Sequence, residues 1–277
     1  MVKELVFEKE YSERRICKSL EISRSTLRYD SQAQDDTPVR DRIEFWALKY
    51  IRAGYRTVTG LIRNSDKMVV NHKKVERIWA QTGLKQRRKR KRRRGILGDF
   101  VRVRPERRNQ VWSYDFVSWN LLRGGKIRIL NVIDEYTREC IAVFIKRSIK
   151  APDVEGVLAK LFVERGRPEY IRSDNGSEFT ATTLMKWLKA LNVATLFIEP
   201  GSPWQNGFCE SFNGKMRNEC LNINICGTVA EADFVVKDWV RYYNTIRPHS
   251  SLGGMPPAPE AVLPMFFRRI DACPGLH

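Results

Sequence analysis

The sequence predicts a mixed α/β sheet domain preceded by small helical units. From residue 109 onward, strand-like and helix-like segments follow one another in the order β-β-β-α-β-α-β-α. The residues before this point contain short amphipathic helices and a dense run of positive charge. Helices cover the faces of such a sheet, and 277 residues are enough for about two domains with a sizeable core.

The net charge indicates a polyanion as the partner. The chain has 50 Lys and Arg against 32 Asp and Glu, a formal charge of +18. Residues 1–100 hold 26 basic and 13 acidic residues, whereas residues 101–277 hold 24 and 19. A strongly basic first part therefore precedes a more ordinary globular part, and this distribution favours nucleic acid as the polyanion.

Cysteine usage and hydropathy exclude several protein classes. The six cysteines form no CxxC pair and the three histidines are isolated, so we predict neither a structural zinc site nor a disulfide framework. The N-terminal residues lack the apolar segment of a signal peptide, and no run of about 18 apolar residues occurs. We expect a reduced, cytoplasmic protein with no membrane partner, which is nucleoid-associated when bound to DNA.

Residues 1–30 are predicted to contain a helix-turn-helix segment. Residues 11–29 divide into a short helix, a turn and a second helix that begins after the capping residue Ser23. The predicted small core consists of Ile16, Leu20, Ile22 and Leu27. Arg24 and Arg28 would face outward toward DNA. A plain helical hairpin gives the same pattern, so DNA recognition and a purely structural role both remain open here.

Residues 39–84 predict a second helix-turn-helix-like domain. Its first helix carries an apolar stripe and ends at Gly54, and its third helix begins after the capping residue Asn71 and ends at Gly83. The inward residues of the third helix are Val75, Ile78 and Trp79. The outward residues, which a major-groove helix would present to DNA, are Lys73, Lys74 and Arg77. A solvated basic face is the alternative, and the charge of the whole first part favours DNA contact.

Residues 85–105 are predicted to form a basic linker. Nine of the ten residues in KQRRKRKRRR, residues 85–94, are basic, and charges this dense repel each other and do not pack in a core. We expect salt-dependent binding to DNA phosphates through residues that include Arg87, Arg88, Lys89 and Arg90. A nuclear-localisation signal is the common alternative for such a run, but the adjacent helical units favour DNA.

The following residues have the pattern of strands. Three β-rich segments joined by short turns predict an antiparallel meander: NQVWSYDFVSW, KIRILNVID and ECIAVFIKR. They precede a helix at 152–166, the strand EYIRS, a helix at 179–192, the strand ATLFIE and a long helix at 204–221. This is the element order of a ribonuclease H-like fold. It assigns residues 106–221 to a catalytic core and residues 222–277 to a C-terminal helical extension of that core.

Three carboxylates occupy informative places in this order. Asp115 lies inside the first strand, where a charge is costly unless it is coordinated or paired. Asp174 follows the fourth strand, at the kind of strand end where ligand sites of open sheets gather. Glu210 lies in the last long helix. The helix, strand and loop that intervene would return this helix across the sheet, where it would face the first and fourth strands.

These carboxylates suit displacement at a phosphodiester. Two divalent cations about 3.5 to 4 Å apart can stabilise the attacking and leaving oxygens of such a reaction. Hard ions such as Mg²⁺ prefer oxygen ligands and keep several waters, so a few Asp and Glu residues suffice. The scarcity of histidine in this chain is consistent with a site of that kind.

Arg217 is a candidate for contact with DNA beside this site. It lies seven residues beyond Glu210 and would therefore share its helix face two turns away. A guanidinium at this place would bind a DNA phosphate through two hydrogen bonds, which fixes position as well as adding energy. The alternative is a surface ion pair between Arg217 and Glu219 or Asp233.

Four strings carry a resemblance to a known family: WSYDFV, IRSDNGSEF, SPWQNGFCESFNGKMRNECLN and YYNTIRPHSSLGGMPPAPEA. They resemble the integrase-type core of bacterial insertion-sequence transposases, specifically the second-frame protein of the IS3 family. The strings AGYRTVTGLIR and VNHKKVERIW resemble the N-terminal region of that family, so the resemblance covers nearly the whole chain. It implies a DDE-type transposase, a metal-dependent polynucleotidyl transferase that cuts the ends of the element and joins them to DNA.

The resemblance also implies site residues, cofactors and partners. Asp115, Asp174 and Glu210 would be the catalytic residues and would bind two Mg²⁺ ions, which Mn²⁺ can replace. The DNA partners would be the element's terminal repeats and target DNA, bound by a homo-oligomer. Family proteins are often fused to an upstream first-frame protein that binds the ends. Because this chain begins at Met1, we expect the second-frame product alone, with the first-frame protein as a partner.

Other functions remain open from the sequence. A non-catalytic DNA-binding regulator, or an inactive transposase remnant, would need the basic first part but not the three carboxylates. A plain ribonuclease H-like nuclease would need the carboxylates but has no evident use for two helix-turn-helix units. Retroviral integrases share the core, but they begin with a His₂Cys₂ zinc module for which this chain lacks suitably spaced ligands.

Overall fold

The structure is a computed structural model and describes residues 12–28, 35–85, 103–174, 176, 178–197 and 206–258. The chain divides into two compact units, residues 1–40 and residues 41–277. The smaller unit contains the first predicted helix-turn-helix segment. The larger unit contains both the second helical segment and the sheet.

The first unit contains two short helices, α1 (Glu13–Ser19) and α2 (Arg24–Arg28). Ser23 caps α2 as predicted, because its hydroxyl accepts a hydrogen bond from the backbone N–H of Thr26 at 3.1 Å. The second helix is only five residues long. The helix-turn-helix order predicted from the sequence is therefore present in this unit.

The small core predicted for this unit is partly wrong. Cys17 is buried, whereas Leu20 is 46% exposed. Leu20 follows the last residue of α1, so the helical spacing that placed it in the core no longer determines its direction. Ile16 and Ile22 are half-buried, and the side chain of Leu27 lies outside the described residues.

Three further helices are α3 (Thr37–Lys49), α4 (Tyr55–Asn64) and α5 (His72–Gln81). Helix α3 ends at Lys49 rather than at Gly54, and Gly54 is instead the N-cap residue of α4. The predicted cap of α5 is confirmed, since the side chain of Asn71 accepts a hydrogen bond from an N–H of the first turn at 3.0 Å. The buried residues of these helices and their loops within the second unit include Ile43, Trp46, Val58, Leu61, Ile62, Val75, Ile78 and Trp79.

The sheet has five strands, which are β1 (Val111–Asn120), β2 (Lys126–Asp134), β3 (Cys140–Lys146), β4 (Tyr170–Ser173) and β5 (Ala194–Phe197). Their spatial order is β3-β2-β1-β4-β5. The first three strands pair antiparallel, and β4 and β5 add in parallel beside β1. The antiparallel meander and the mixed ribonuclease H-like α/β fold predicted from the sequence are therefore confirmed.

Helices cover both faces of this sheet. On one face, α6 (Ala151–Arg165) and α7 (Thr182–Ala190) bury their apolar residues against β1, β2 and β4. On the other face, α8 (Gly207–Met216) packs against β1 and β2. Successive residues of a strand alternate between these faces, so Trp112 and Tyr114 join the apolar core while Asp115 lies on the α8 side.

The last predicted helix of the core is divided into two parts. Helix α8 ends at Met216, and the chain continues as a π-helical turn over Arg217–Leu221. Residues 204 and 205, where the sequence predicted the helix to begin, lie outside the described residues. Apolar spacing does not distinguish an α-helix from a single π turn, so the change of winding was not predictable from the pattern.

Helix α9 (Val229–Thr245) packs against β3, the strand at one edge of the sheet. The side-chain amide of Asn244 accepts from the backbone N–H of Cys140 at 2.9 Å and donates to the carbonyl of the same residue at 2.8 Å. Asn244 thereby supplies the two hydrogen bonds that a neighbouring strand would otherwise make with Cys140 at the start of β3. Beyond α9, the guanidinium of Arg247 binds both carboxylate oxygens of Glu219 at 2.7 and 2.8 Å.

Among the residues that the structure describes, no helix combines the length and the apolar character that crossing a lipid bilayer requires.

Replacing Asn244 by Ala should destabilise the fold, because the backbone N–H and carbonyl of Cys140 would stay buried without partners. Each unsatisfied buried group costs about 1–3 kcal/mol, so we expect the two groups together to lower the free energy of unfolding by roughly 2–6 kcal/mol. Urea denaturation followed by circular dichroism would measure it. The matched control is Asn222→Ala at an exposed position, and equal stability of the two variants would contradict the assigned role of Asn244.

Candidate active site

The carboxylate of Asp115 lies half-buried on β1 beneath helix α8. It accepts hydrogen bonds from the backbone N–H of Phe116 at 2.7 Å and from the side-chain amide of Asn213 at 2.8 Å. Burial, together with the nearby negative charges of Asp174 and Glu210, raises the pKa of Asp115 to about 6, although these two hydrogen bonds lower it. The three predicted carboxylates are therefore close enough to interact electrostatically.

Asp174 is exposed and directly follows β4. In the parallel pairing of β1 with β4, Ser113 lies opposite Arg172. Side chains two residues further along each strand point to the same face, so Asp174 extends the row on which Asp115 lies. A carboxylate oxygen of Asp174 accepts a hydrogen bond from the N–H of Gly176 at 3.0 Å, which orients it at the strand end.

Glu210 is exposed in the first turn of α8, and this helix reaches the sheet through Asn213, one turn later. The amide of Asn213 donates to Asp115, and its oxygen accepts from the buried amide of Asn131 on β2 at 2.8 Å. Asn131 lies directly opposite Asp115 in the antiparallel pairing. The two asparagines therefore link the helix that carries Glu210 to the strands beneath it.

Sequence reasoning missed both asparagines, although one signal was present. Asn131 is the only polar residue in the apolar stretch ILNVI of the second strand. A buried amide needs hydrogen-bond partners, so its presence there indicated a polar contact on that face. Asn213 gave no comparable signal, because helix residues near Glu210 are of mixed polarity and its burial depends on how α8 docks.

A buried ion pair lies two residues before Asp174. The guanidinium of Arg172 is 3.1 Å from the carboxylate of Glu135, and both side chains are almost fully buried. Arg172 also donates to the carbonyl of Val103 at 3.0 Å. This pair joins β4 to the turn after β2, and removal of either partner would leave a buried charge uncompensated. It supports the strand end that carries Asp174.

Arg217 is exposed at the start of the π turn. Of the two acids that could have formed a surface ion pair with it, Glu219 binds Arg247 and Asp233 binds Lys237 at 2.5 Å. Both carboxylates therefore already have a cationic partner. The surface ion pair that the sequence left open as an alternative for Arg217 is therefore not formed with either acid.

The predicted DNA contacts of the helical units have different surroundings. Arg24, Lys73 and Arg77 are exposed, and Lys74 is half-buried. Arg28 is not simply outward, because its guanidinium binds both carboxylate oxygens of Glu13 at 2.8 and 3.0 Å while staying 68% exposed. The remaining predicted contacts lie outside the described residues; they are Arg87, Arg88, Lys89 and Arg90.

The site offers oxygen donors that would suit a hard divalent cation. Its charged donors are the carboxylates of Asp115, Asp174 and Glu210, on β1, at the end of β4 and on α8. In the part of the chain that the structure describes, no three His, Cys, Asp or Glu side chains are already arranged as a metal-binding cluster. Two of the three carboxylates, those of Asp174 and Glu210, are exposed.

The sequence is similar to known integrase core domains and to proteins of insertion elements. Residues 105–203 and residues 191–257 match two models of the integrase core domain. The chain is 38% identical to a 39.2 kDa protein of insertion element IS476 from Xanthomonas euvesicatoria, over 89% of this chain and 71% of that protein. It is 36% identical to a 31.7 kDa protein of insertion element IS407 from Burkholderia multivorans, over 89% of each chain.

Among solved structures, a chain of the simian T-cell lymphotropic virus intasome aligns with a TM-score of 0.48 and 13% identity. That alignment covers 85% of this chain and 78% of the other. The assignment to a family depends on the two insertion-element relatives and on the integrase core domain, both of which agree with the resemblance seen in the sequence. The chain belongs to the IS3 family of insertion-element transposases and contains their integrase core domain.

Proposed function

We propose that this transposase is a DDE-type polynucleotidyl transferase whose catalytic residues are Asp115, Asp174 and Glu210. The placement of the three carboxylates carries the proposal: Asp115 lies half-buried on β1, Asp174 directly follows the adjacent strand β4, and Glu210 lies on the helix that packs on β1. The negative charges of Asp174 and Glu210 also raise the pKa of Asp115. Such repulsion is unfavourable unless a cation compensates it. The three residues would hold a pair of Mg²⁺ ions, which Mn²⁺ can replace.

The donors fit such ions because they are carboxylates, the ligands that Mg²⁺ prefers. When bound, the ions supply charge that stabilises the attacking and leaving oxygens of an in-line displacement at phosphorus. The chain's own residues set the geometry. Asn213 and the N–H of Phe116 hold the carboxylate of Asp115, and Asn213 also fixes the helix that brings Glu210 to the sheet. Arg217 would hold a phosphate beside the scissile bond.

The DNA substrate in this proposal comprises the element's terminal repeats and the target DNA. Exposed basic residues of α2 and α5 would contact the ends, and the basic run at 85–94 would bind backbone phosphates without sequence preference. Joining two ends to a target requires more than one active site, which favours a homo-oligomer on DNA. An upstream first-frame protein would add end recognition. The resulting complex would be associated with the nucleoid.

The first functional prediction tests the three carboxylates. Asp115→Asn, Asp174→Asn and Glu210→Gln should each reduce Mg²⁺-dependent cleavage and joining of labelled element ends by more than about a thousandfold, because loss of one member disables a site that acts as a unit. Double variants should lose little more than single ones. Binding to end DNA and thermal stability should stay close to those of the wild type, which gel shifts and calorimetry would establish.

Glu164→Gln, at an exposed position of α6, is the matched control for Glu210→Gln and should keep wild-type rates. Normal strand joining by Glu210→Gln would remove Glu210 from the site. Absence of cleavage and joining by the wild-type chain, even with its first-frame partner, would instead support a non-catalytic DNA-binding protein.

The second prediction separates two kinds of basic residue. Neutralising Arg87, Arg88, Lys89 and Arg90 together should weaken binding to all DNA alike, and should lower the slope of log affinity against log salt by about 0.9 for each DNA phosphate that these residues neutralise. Replacing Lys73, Lys74 or Arg77 by Ala should mainly reduce the preference for element ends over random DNA, if α5 enters the major groove. Fluorescence anisotropy at several salt concentrations measures both. Equal losses on both DNAs would show that α5 contacts only the backbone.

The third prediction concerns Arg217. Arg217→Ala should slow strand joining on pre-cut ends about tenfold or more without changing the Mg²⁺ requirement, because a positioned guanidinium is removed but no metal ligand is. Arg217→Lys should be intermediate, since lysine keeps the charge but not the paired donors. Joining rates at saturating Mg²⁺ decide the matter. A wild-type rate for Arg217→Ala would leave only a surface role.

A further inference from the structure

Helix α4 contains a glycine that its own helical structure does not explain. Gly60 lies in the interior of this helix, where glycine is the least favourable residue after proline. A Cβ atom at this position would lie 2.6 Å from Cβ and 2.7 Å from Cγ of Pro248. A proline ring has little freedom to move aside. Only glycine therefore allows α4 to approach the loop after α9 this closely.

Two further contacts join the helical segment to the same part of the core. The side-chain amide of Asn64, at the end of α4, donates to the carbonyl of Gly254 at 2.8 Å. The ring of Tyr50 stacks on the ring of Tyr242 in α9, with centroids 4.0 Å apart and an interplanar angle of 22°. Burial raises the pKa of Tyr50 to about 12, which is consistent with a ring enclosed at this contact.

The segment that the helices contact also packs against the elements that carry the candidate active site. Tyr243, adjacent to Tyr242, packs edge-on against Phe212 of α8 with centroids 4.7 Å apart. Asn244 binds the backbone of β3, and Arg247, adjacent to Pro248, binds the acid Glu219 after α8. Residues that touch the helical segment thus lie close in the chain to residues that contact β3, α8 and the π turn after it.

We propose that residues Tyr242, Pro248 and Gly254, together named the seat, hold the helical segment 41–85 in one fixed position relative to the catalytic carboxylates. A DNA end gripped by α5 would then meet Asp115, Asp174 and Glu210 at a single phosphate. Free tethering through the basic residues that follow α5 would not define such a position. The inference rests on the proposed function for its DNA substrate, whereas the contacts of the seat are present in the structure whatever the function.

The experiment compares Gly60→Ala with Gly156→Ala in the full-length chain. Gly156 is also a helix glycine, in α6, but a Cβ atom there would meet no atom within 4 Å. Hydrogen exchange should accelerate in both α4 and residues 248–254 of Gly60→Ala, and should remain unchanged in Gly156→Ala. On labelled element ends, Gly60→Ala should bind DNA nearly as well as the wild type. It should cut about a hundredfold more slowly, or at several neighbouring phosphates instead of one.

A compensating change distinguishes displacement of the seat from a local effect on α4. Pro248→Gly removes the ring atoms that the new methyl group would strike, so the double variant Gly60→Ala/Pro248→Gly should recover the exchange pattern and the single cutting position. If Gly60→Ala does not fold, Asn64→Ala, which removes one hydrogen bond, should show the same changes to a smaller extent.

The outcomes separate this inference from the proposed function. If the wild-type chain does not cut DNA even with its first-frame partner, the proposed function fails, and hydrogen exchange alone then tests the seat. Unchanged exchange in Gly60→Ala, or in Asn64→Ala where the first variant does not fold, would overturn the inference. So would accelerated exchange combined with cutting at the wild-type rate and position, because the contact would then exist without directing the reaction.

Discussion

The half-buried carboxylate of Asp115 needs hydrogen-bond donors, and this need constrains the position of the neighbouring helix α8. A charge on a central strand costs free energy unless hydrogen bonds or a counter-charge compensate it. Here the N–H of Phe116 and the amide of Asn213 supply the hydrogen bonds, and Asn131 in turn satisfies Asn213. Because Asn213 belongs to α8, satisfying Asp115 also determines where the helix bearing Glu210 lies. The polar requirement of one residue thus contributes to the geometry of the site, in addition to the apolar side chains that α8 buries.

The C-terminal helix connects parts of the molecule that are distant in sequence. Successive residues of an α-helix project about 100° apart, so three neighbours can face three different partners. Tyr242 contacts Tyr50 of the helical segment, Tyr243 packs on α8, and Asn244 binds the backbone of β3. This arrangement explains why two aromatic residues and one amide follow one another at this point of the helix.

Charge is distributed differently inside the core and on its surface. Several acids of the core bind arginines internally: Glu135 with Arg172, Glu139 with Arg108 and Arg165, and Glu219 with Arg247. Buried pairs of this kind contribute little net stability, but each is costly to break from one side. These pairs occupy four of the arginines of the core, so the formal positive charge of the chain overstates the number of its arginines that lack an acidic partner.

The sequence by itself determined the element order, the mixed sheet and the caps at Ser23 and Asn71, because periodicity and capping are local properties. It also placed the three candidate carboxylates on the first strand, after the fourth strand and on the last helix of the core, where the structure has them. Tertiary structure alone decided that Leu20 is exposed, that α8 continues as a π turn, that Asn213 and Asn131 hold Asp115, and that Gly60 lies against Pro248. The contacts of the two asparagines and of Gly60 depend on how two elements dock. Docking depends on the fit between surfaces that are far apart in sequence, and a local sequence pattern carries no information about that fit.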